Sequence, residues 1–483
     1  MIPEFINASD RSRRLKSSVS ASPVIVENLN PLIQNRYNFM DAMLERAWTL
    51  KQNLIDFVLD AEGELAVALE AFAAARSQGE RYDIAQQNQV IDSFAVEGKV
   101  GEKTPIDLFV ESQPDLTEGD RSLLESWRHR SFIGLFEITQ ISPDSFEVTN
   151  WLTAKHYAVQ PNSANFQQEM SRFKLGEILR ARIAPLTDDW WILSSPPIPM
   201  GNLGKPKLAV AIGNFKQNYK NHLYSDAPEL LEQAWESVEK YHEDFIEFFG
   251  SDEVTLSGYH LNKQLAEFQE VMTKKRLADI GIDRTKSLAD IVEDAGVDPE
   301  EIKAAAIAAA GADPSSVEVM LDSNASSKMV MPKAELPDRF KKAEQVTALS
   351  HPRWGQTFLS TYAQFTAMLA ADDFSTVPGY EKLVRNYLED PTINAWIWRR
   401  LAQVDPPKLA QILQTVLERT DFQIDRDLDA LLQEFKKPLE PELPEIASVP
   451  LHLHNLFQEA LGEVSKSKSK PQDKKKSSKG FKS

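Results

Sequence analysis

The chain holds no cysteine in 483 residues, and that single absence removes several chemistries. A disulfide framework, a thiolate nucleophile and cysteine-ligated zinc or iron–sulfur sites are all excluded, and a reducing, cytosolic setting fits the composition. No apolar run approaches the roughly 18 residues that a membrane-spanning helix needs. The N-terminus also lacks the apolar core of a secretory signal. Arg11, Arg13, Arg14 and the serines up to Ser22 read as a disordered leader over residues 1–26, with a transit peptide as the alternative. Glycine is scarce at 19 residues, which leaves little material for catalytic loops. Neither a Gly-x-Ser-x-Gly elbow, nor a Gly-x-Gly-x-x-Gly fingerprint, nor a His-Glu-x-x-His pair occurs.

What the chain does have is enough apolar material, 42%, to build packed cores over a length that calls for two to four units. Its formal charge of −18 hides an asymmetry. Lys466 to Lys482 carries eight lysines against one aspartate, so the rest of the chain stands at −25. An acidic body with a short basic tail repels phosphate backbones everywhere except at the tail.

One stretch, 131–197, changes its apolar period from about three and a half to two. Phe132 to Ile141 is rich in β-branched and aromatic residues and stops at the turn residues Pro143 and Asp144. Phe146, Val148 and Leu152 follow at even spacing, and His156 to Gln160 ends against Pro161, which has no N–H to give a ladder. Ile178 to Leu186 and Trp190 to Leu193 form a hairpin across Thr187-Asp-Asp189. In the first of these strands Leu179, Ala181 and Ile183 point one way, Arg180 and Arg182 the other. Five short strands of this kind curl into a small barrel because closure hides their edges.

Asp120 to Trp127, Gly134 to Ile138, Leu175 to Leu186 and Trp191 to Leu193 together resemble the helix-plus-β module of some bacterial proteins that carry SEC-C motifs. The resemblance covers roughly Ile106 to Pro197. The SEC-C motif itself binds zinc through cysteines, and here there are none, so the resemblance implies a fold and no chemistry.

The remainder reads as helix. Tyr37 to Val58 and Leu65 to Ala75 suggest a hairpin, and Thr117 with Asp120 opens a later helix through an imperfect capping box. Gly201-Asn-Leu-Gly-Lys205 resembles a phosphate loop only superficially, since Pro206 is expected to block the helix start. Asp226 is expected to cap a helix that Gly250 stops, and a second long helix from Ser257 returns beside it. Asp298-Pro and Asp313-Pro mark two further helix starts, with Gly311 closing the helix between. Trp354, Phe358, Tyr362, Phe365 and Leu369 are placed on one helix of a C-terminal unit. The fold class is therefore mainly α: helical hairpins and bundles flanking one small five-stranded β-barrel-like domain. The units are a helical domain at 27–130, the β-domain at 131–197, a linker at 198–224, and helical domains at 225–335 and 336–437. A Pro-rich linker, a short helix and a basic disordered tail fill 438–483.

Candidate chemistry is thin. Glu239-x-x-His242 has di-iron spacing but lacks a second such pair, and His452-Leu-His454 suits docking better than a metal. No cofactor and no metal is expected. Arg180 and Arg182 beside Trp190 or Trp191 could form a base-stacking face, although an ordinary outward face is the favoured reading. Trp396 and Arg400 share a helix face, which a tryptophan packed under an arginine stem explains. Lys466, Lys468, Lys470, Lys474, Lys475 and Lys476 form a charged tether whose targets rank as acidic protein, then nucleic acid, then membrane surface. These features point to a non-enzymatic adaptor or assembly factor that binds proteins through helical surfaces and a β docking module. A ribosome- or RNA-associated factor is the alternative, and an enzyme with an unrecognised site is the third reading.

Overall fold

A computed structural model of the chain describes residues 31–77, 84–161, 172–279, 329–330 and 334–468. The leader, the Asp298 and Asp313 helix starts and the tail beyond Lys468 lie outside the described residues. Five helices come first: α1 (Pro31–Leu59), α2 (Glu64–Ser77), α3 (Ile84–Glu97), α4 (Pro105–Ser112) and α5 (Glu118–Arg130). Six strands follow: β1 (Phe132–Ile141), β2 (Phe146–Asn150), β3 (His156–Gln160), β4 (Ile178–Pro185), β5 (Trp190–Leu193) and β6 (Ile198–Gly201). Next come α6 (Lys205–Asn218), α7 (Pro228–Phe249), β7 (Glu253–Leu256), α8 (Gly258–Asp279) and β8 (Met329–Val330). After them stand β9 (Val346–His351), β10 (Gly355–Leu359), α9 (Tyr362–Ala370), α10 (Tyr380–Glu389) and α11 (Ala395–Val404). The described chain ends with α12 (Pro406–Leu417), α13 (Ile424–Glu434), β11 (Val449–Pro450) and α14 (Leu451–Lys468). The architecture is mainly α with one closed five-stranded barrel.

The barrel closes in the order β1-β2-β3-β5-β4 and back to β1. All its neighbours are antiparallel except β3 and β5, which run parallel through Ala158↔Trp190 to Gln160↔Ile192. β6 extends the line of β5 along the other half of β4. The period-two pattern sorts residues as expected: Phe132, Phe136, Val148, Val159, Leu179, Ala181 and Ile183 fill the interior. Gly134 has a steric reason to be there, because a Cβ would sit 2.8 Å from the Phe136 ring. The rings of Phe132, Tyr157 and Trp191 pack together with centroids 5.1–5.7 Å apart, Trp191 edge to face with both others.

Both sides of the barrel wall are used. Ala184, Leu186 and Ile192 face outward into a core shared with α1, α3, α4 and α5. Ile133, Leu135 and Ile178 face outward into a second core built with α6, α7, α8 and α14. A third core, from Leu349 and Leu359 through α9 to α13, belongs to the C-terminal helices. α5 is positioned by a complete capping box: Thr117 Oγ1 accepts from the Asp120 amide and Asp120 accepts from the Thr117 amide.

Several sequence expectations are corrected. In place of a linker at 198–224, the chain forms β6 and α6, and Pro206 sits in the first turn of α6, where its missing N–H costs nothing. Asp226 does not cap α7; Ala227 occupies that position without a side-chain bond, and Asp226 turns to the barrel instead. The central helices are joined through β7, which pairs with β9, and β9 pairs in turn with β10. Trp354 and Phe358 belong to that hairpin, and the helix begins only at Tyr362. Val449 and Pro450 pair with Met329 and Val330 at the end of the Pro-rich segment.

Candidate functional site

Of the two outward arginines of β4, Arg180 is half-buried and Arg182 does not reach solvent. Arg182 is 1% exposed, because α3 lies across its strand. Its Nη2 donates to Ser93 Oγ at 3.1 Å and to Glu97 Oε1 at 2.9 Å, and its Nε stands 3.4 Å from Asp92. Asp92, equally buried, also pairs with Lys51 at 2.5 Å and accepts from Ser194 Oγ at 2.7 Å. Glu97 bonds His222 Nε2 at 2.7 Å and pairs with Arg76 at 3.2 Å. Burial alone would raise the Glu97 pKa, but the His222 hydrogen bond and the charges of Arg182 and Arg76 bring it down to about 2. Arg180 donates to Gln89 at 3.1 Å and lies 5.6 Å from the Tyr219 ring centre. Trp190 packs outward against the N-terminal helices, whereas Trp191 turns into the barrel. The structure thus separates the two tryptophans and buries Arg182, so these four residues do not make one exposed stacking face.

The exposed surface of the barrel is a different one, formed by β2, β3 and the adjoining turns. Glu147 and His156 are exposed, with Thr149 and Ala158 beside them. The β1–β2 turn adds Asp144, and the β4–β5 turn adds Asp188 and Asp189. Tyr157, the aromatic residue of β3, points inward, and its hydroxyl donates to Asp226 Oδ2 at 2.6 Å. Asn150 and Thr153 donate to the same oxygen at 3.0 and 2.8 Å, and Lys155 donates to the Asp226 carbonyl at 2.5 Å. Asp226 therefore clamps the β2–β3 turn to the start of α7. Burial and the Asp226 carboxylate both raise the Tyr157 pKa, holding it as a neutral donor. The barrel's strand order is thus 1-2-3-5-4-1 with a parallel 3–5 pair, and the β2–β3 face lies between the β1–β2 and β4–β5 turns.

Trp396 and Arg400 meet at the junction of α11 with the three-stranded sheet. The guanidinium lies 5.7 Å from the indole centre and is held by Asp252 at 2.6 and 3.0 Å and by Glu253 at 3.1 Å. The His351 ring stands 4.8 Å from Trp396, and its Nδ1 accepts from the Arg353 and Trp354 amides. Burial and the neighbouring His242 push His351 down to about 4, so it is neutral near pH 7. Among the described residues no group of three or more His, Asp or Glu is arranged to hold a metal ion, and no helix is long and apolar enough to cross a membrane. Lys466 and Lys468 stand in the last turn of α14, while Lys470, Lys474, Lys475 and Lys476 lie outside the described residues.

Sequence reasoning missed Asp92, Glu97, His222 and Asp226 as organising residues. Asp226 next to Pro228 imitates a cap, and the other three carry no spacing that links them to the strand they hold. No family model, no curated protein and no solved structure matches the chain.

Proposed function

We propose that this chain is a non-enzymatic adaptor or assembly factor whose barrel docks a protein partner on its β2–β3 surface. One observation carries the reading: the exposed surface presents Glu147, Asp144, Asp189 and Asp188, the last 3.9 Å from Arg130, while the aromatic residue of β3, Tyr157, is turned inside and anchored. Single-strand binding relies on cations along the backbone and outward rings beneath the bases, and this surface offers the opposite charge. A protein segment bearing lysines or arginines fits it by charge, which favours encounter rate and specificity more than raw affinity. The aromatic stripes of the C-terminal helices are consumed in their own core, with Trp398, Tyr362 and Phe365 at most 1% exposed. Helices thus supply the frame and the barrel supplies the docking surface.

The test compares the intact chain with a Glu147→Lys, Asp188→Lys, Asp189→Lys variant in affinity purification from the native cell, with and without ribonuclease. A defined protein recovered by the intact chain, resistant to ribonuclease and lost with the variant, is the expected result. Recovery unchanged by the three substitutions, or abolished by ribonuclease, overturns the reading in favour of other surfaces or of RNA.

A further inference from the structure

Beside the β2–β3 turn, the chain leaves a cavity of about 480 Å³ between the barrel wall, the start of α6 and the first turns of α14. That volume lies within the roughly 300–1,000 Å³ typical of small-molecule sites. Its walls are apolar: Trp151 and Ile178 from the barrel, Leu203 from the approach to α6, Leu208 from α6 itself, and Leu456 from α14.

The polar groups at its edge do not balance. Lys205 and Glu459 neutralise each other at 2.9 Å. His452 bonds the Trp151 carbonyl at 2.9 Å, and burial lowers its pKa, leaving it uncharged near pH 7. Glu137, half-buried, also lines the cavity, and among the described residues its carboxylate has neither a hydrogen bond nor an ion pair. The Trp151 indole N–H is buried without an acceptor; as a donor it gives no purchase to a cation, which the indole face alone can hold. Two residues of the rim hold left-handed backbone, Ala154 at φ 58° and Gly176 at φ 76°. For alanine that conformation costs of order 1 kcal/mol and persists only where the surroundings impose it, a pattern that concentrates at ligand clamps.

We propose that this cavity binds a small organic cation with an apolar body, its protonated amine placed between the Trp151 ring and the unpaired Glu137 carboxylate. A cation over an indole gains from the ring quadrupole, most when water is excluded. The carboxylate supplies the sign selection that the ring alone gives only weakly.

Three probes of nearly equal shape separate the terms: 4-phenylbutylamine, 4-phenylbutanol and 4-phenylbutyrate, titrated into the full chain by calorimetry. The amine is expected to bind about tenfold more tightly than the alcohol, the difference of one charge-assisted contact, with the carboxylate weakest. Glu137→Gln should bring the amine to the level of the alcohol and leave the alcohol unchanged. Leu456→Trp, which fills the space, should abolish binding of both, with circular dichroism confirming the fold. If that variant does not fold, the Glu137→Gln comparison decides alone. Equal affinity of the three probes, an amine affinity indifferent to Glu137→Gln, or no binding of any probe at millimolar concentration each overturns the proposal. None of these readouts involves a protein partner, so the outcome is independent of the docking reading.

Discussion

Arg182 carries a permanent charge to a place with almost no water, and its neighbours determine what removing it costs. A buried ion pair adds little over a well-packed apolar pair, but breaking one by deleting a partner costs about 3–5 kcal/mol because the other charge stays behind. Here Asp92 would keep Lys51 and Ser194, and Glu97 would keep His222 and Arg76. The lower end of that range therefore applies, and Arg182→Met is expected to lose about 3 kcal/mol in chemical denaturation. Arg180→Ala, at a half-buried position with one side-chain partner, should lose about 1 kcal/mol. A pH signature accompanies the larger effect. The Glu97 pKa falls from an ordinary 4.5 to about 2 on folding, so its contribution is complete above pH 4.5 and is lost as pH falls towards 2. Without Arg182 the window should narrow from its acidic end, which denaturation curves collected between pH 2 and 6 would reveal.

At the scale of elements, two glycines at helix starts behave oppositely for a reason visible in their surroundings. A Cβ on Gly258, the first residue of α8, would lie 1.9 Å from the Phe340 carbonyl oxygen, while the Gly258 amide donates to Ala343 at 2.9 Å. Gly119, in the first turn of α5, has nothing nearer than 3.8 Å. Gly258→Ala should destabilise by about 3 kcal/mol through overpacking against backbone that cannot yield. Gly119→Ala should stabilise by about 0.5–1 kcal/mol, and paired thermal melts would check both signs. The same contrast shows how much of the fold was legible. The barrel strands could be read because their alternation is decided locally, and α5 because Thr117 and Asp120 are three residues apart. The β9–β10 hairpin could not, since Trp354, Phe358 and Tyr362 recur every four residues and imitate a helix face. The left-handed Gly355, packed against Pro444, sits where the chain turns into β10, and β9 is held by β7 as well. Alternation likewise put Arg180 and Arg182 on one face but carried no information about α3, 85 to 91 residues earlier, which covers that face.

For the molecule as a whole, the arrangement of cores sets which pieces stand alone. The barrel's outer wall lends Ile133, Leu135 and Ile178 to one core and Ala184, Leu186 and Ile192 to another, whereas the helices α9 to α13 close a core of their own. An isolated 131–201 fragment should show no cooperative thermal transition, because both sets would face water. A 344–439 fragment should melt cooperatively, and circular dichroism on the two would reverse the argument if the results were exchanged. The contact between His452 and the Trp151 carbonyl spans 301 residues. At the about 5–20 residues per second of ribosomal synthesis, some 15–60 seconds separate the emergence of Trp151 from that of the helix that covers it. Throughout that interval the part of the barrel's greasy flank that α14 covers stays open in a crowded cell, and a chaperone able to shelter it for tens of seconds would govern how much of each translated batch matures.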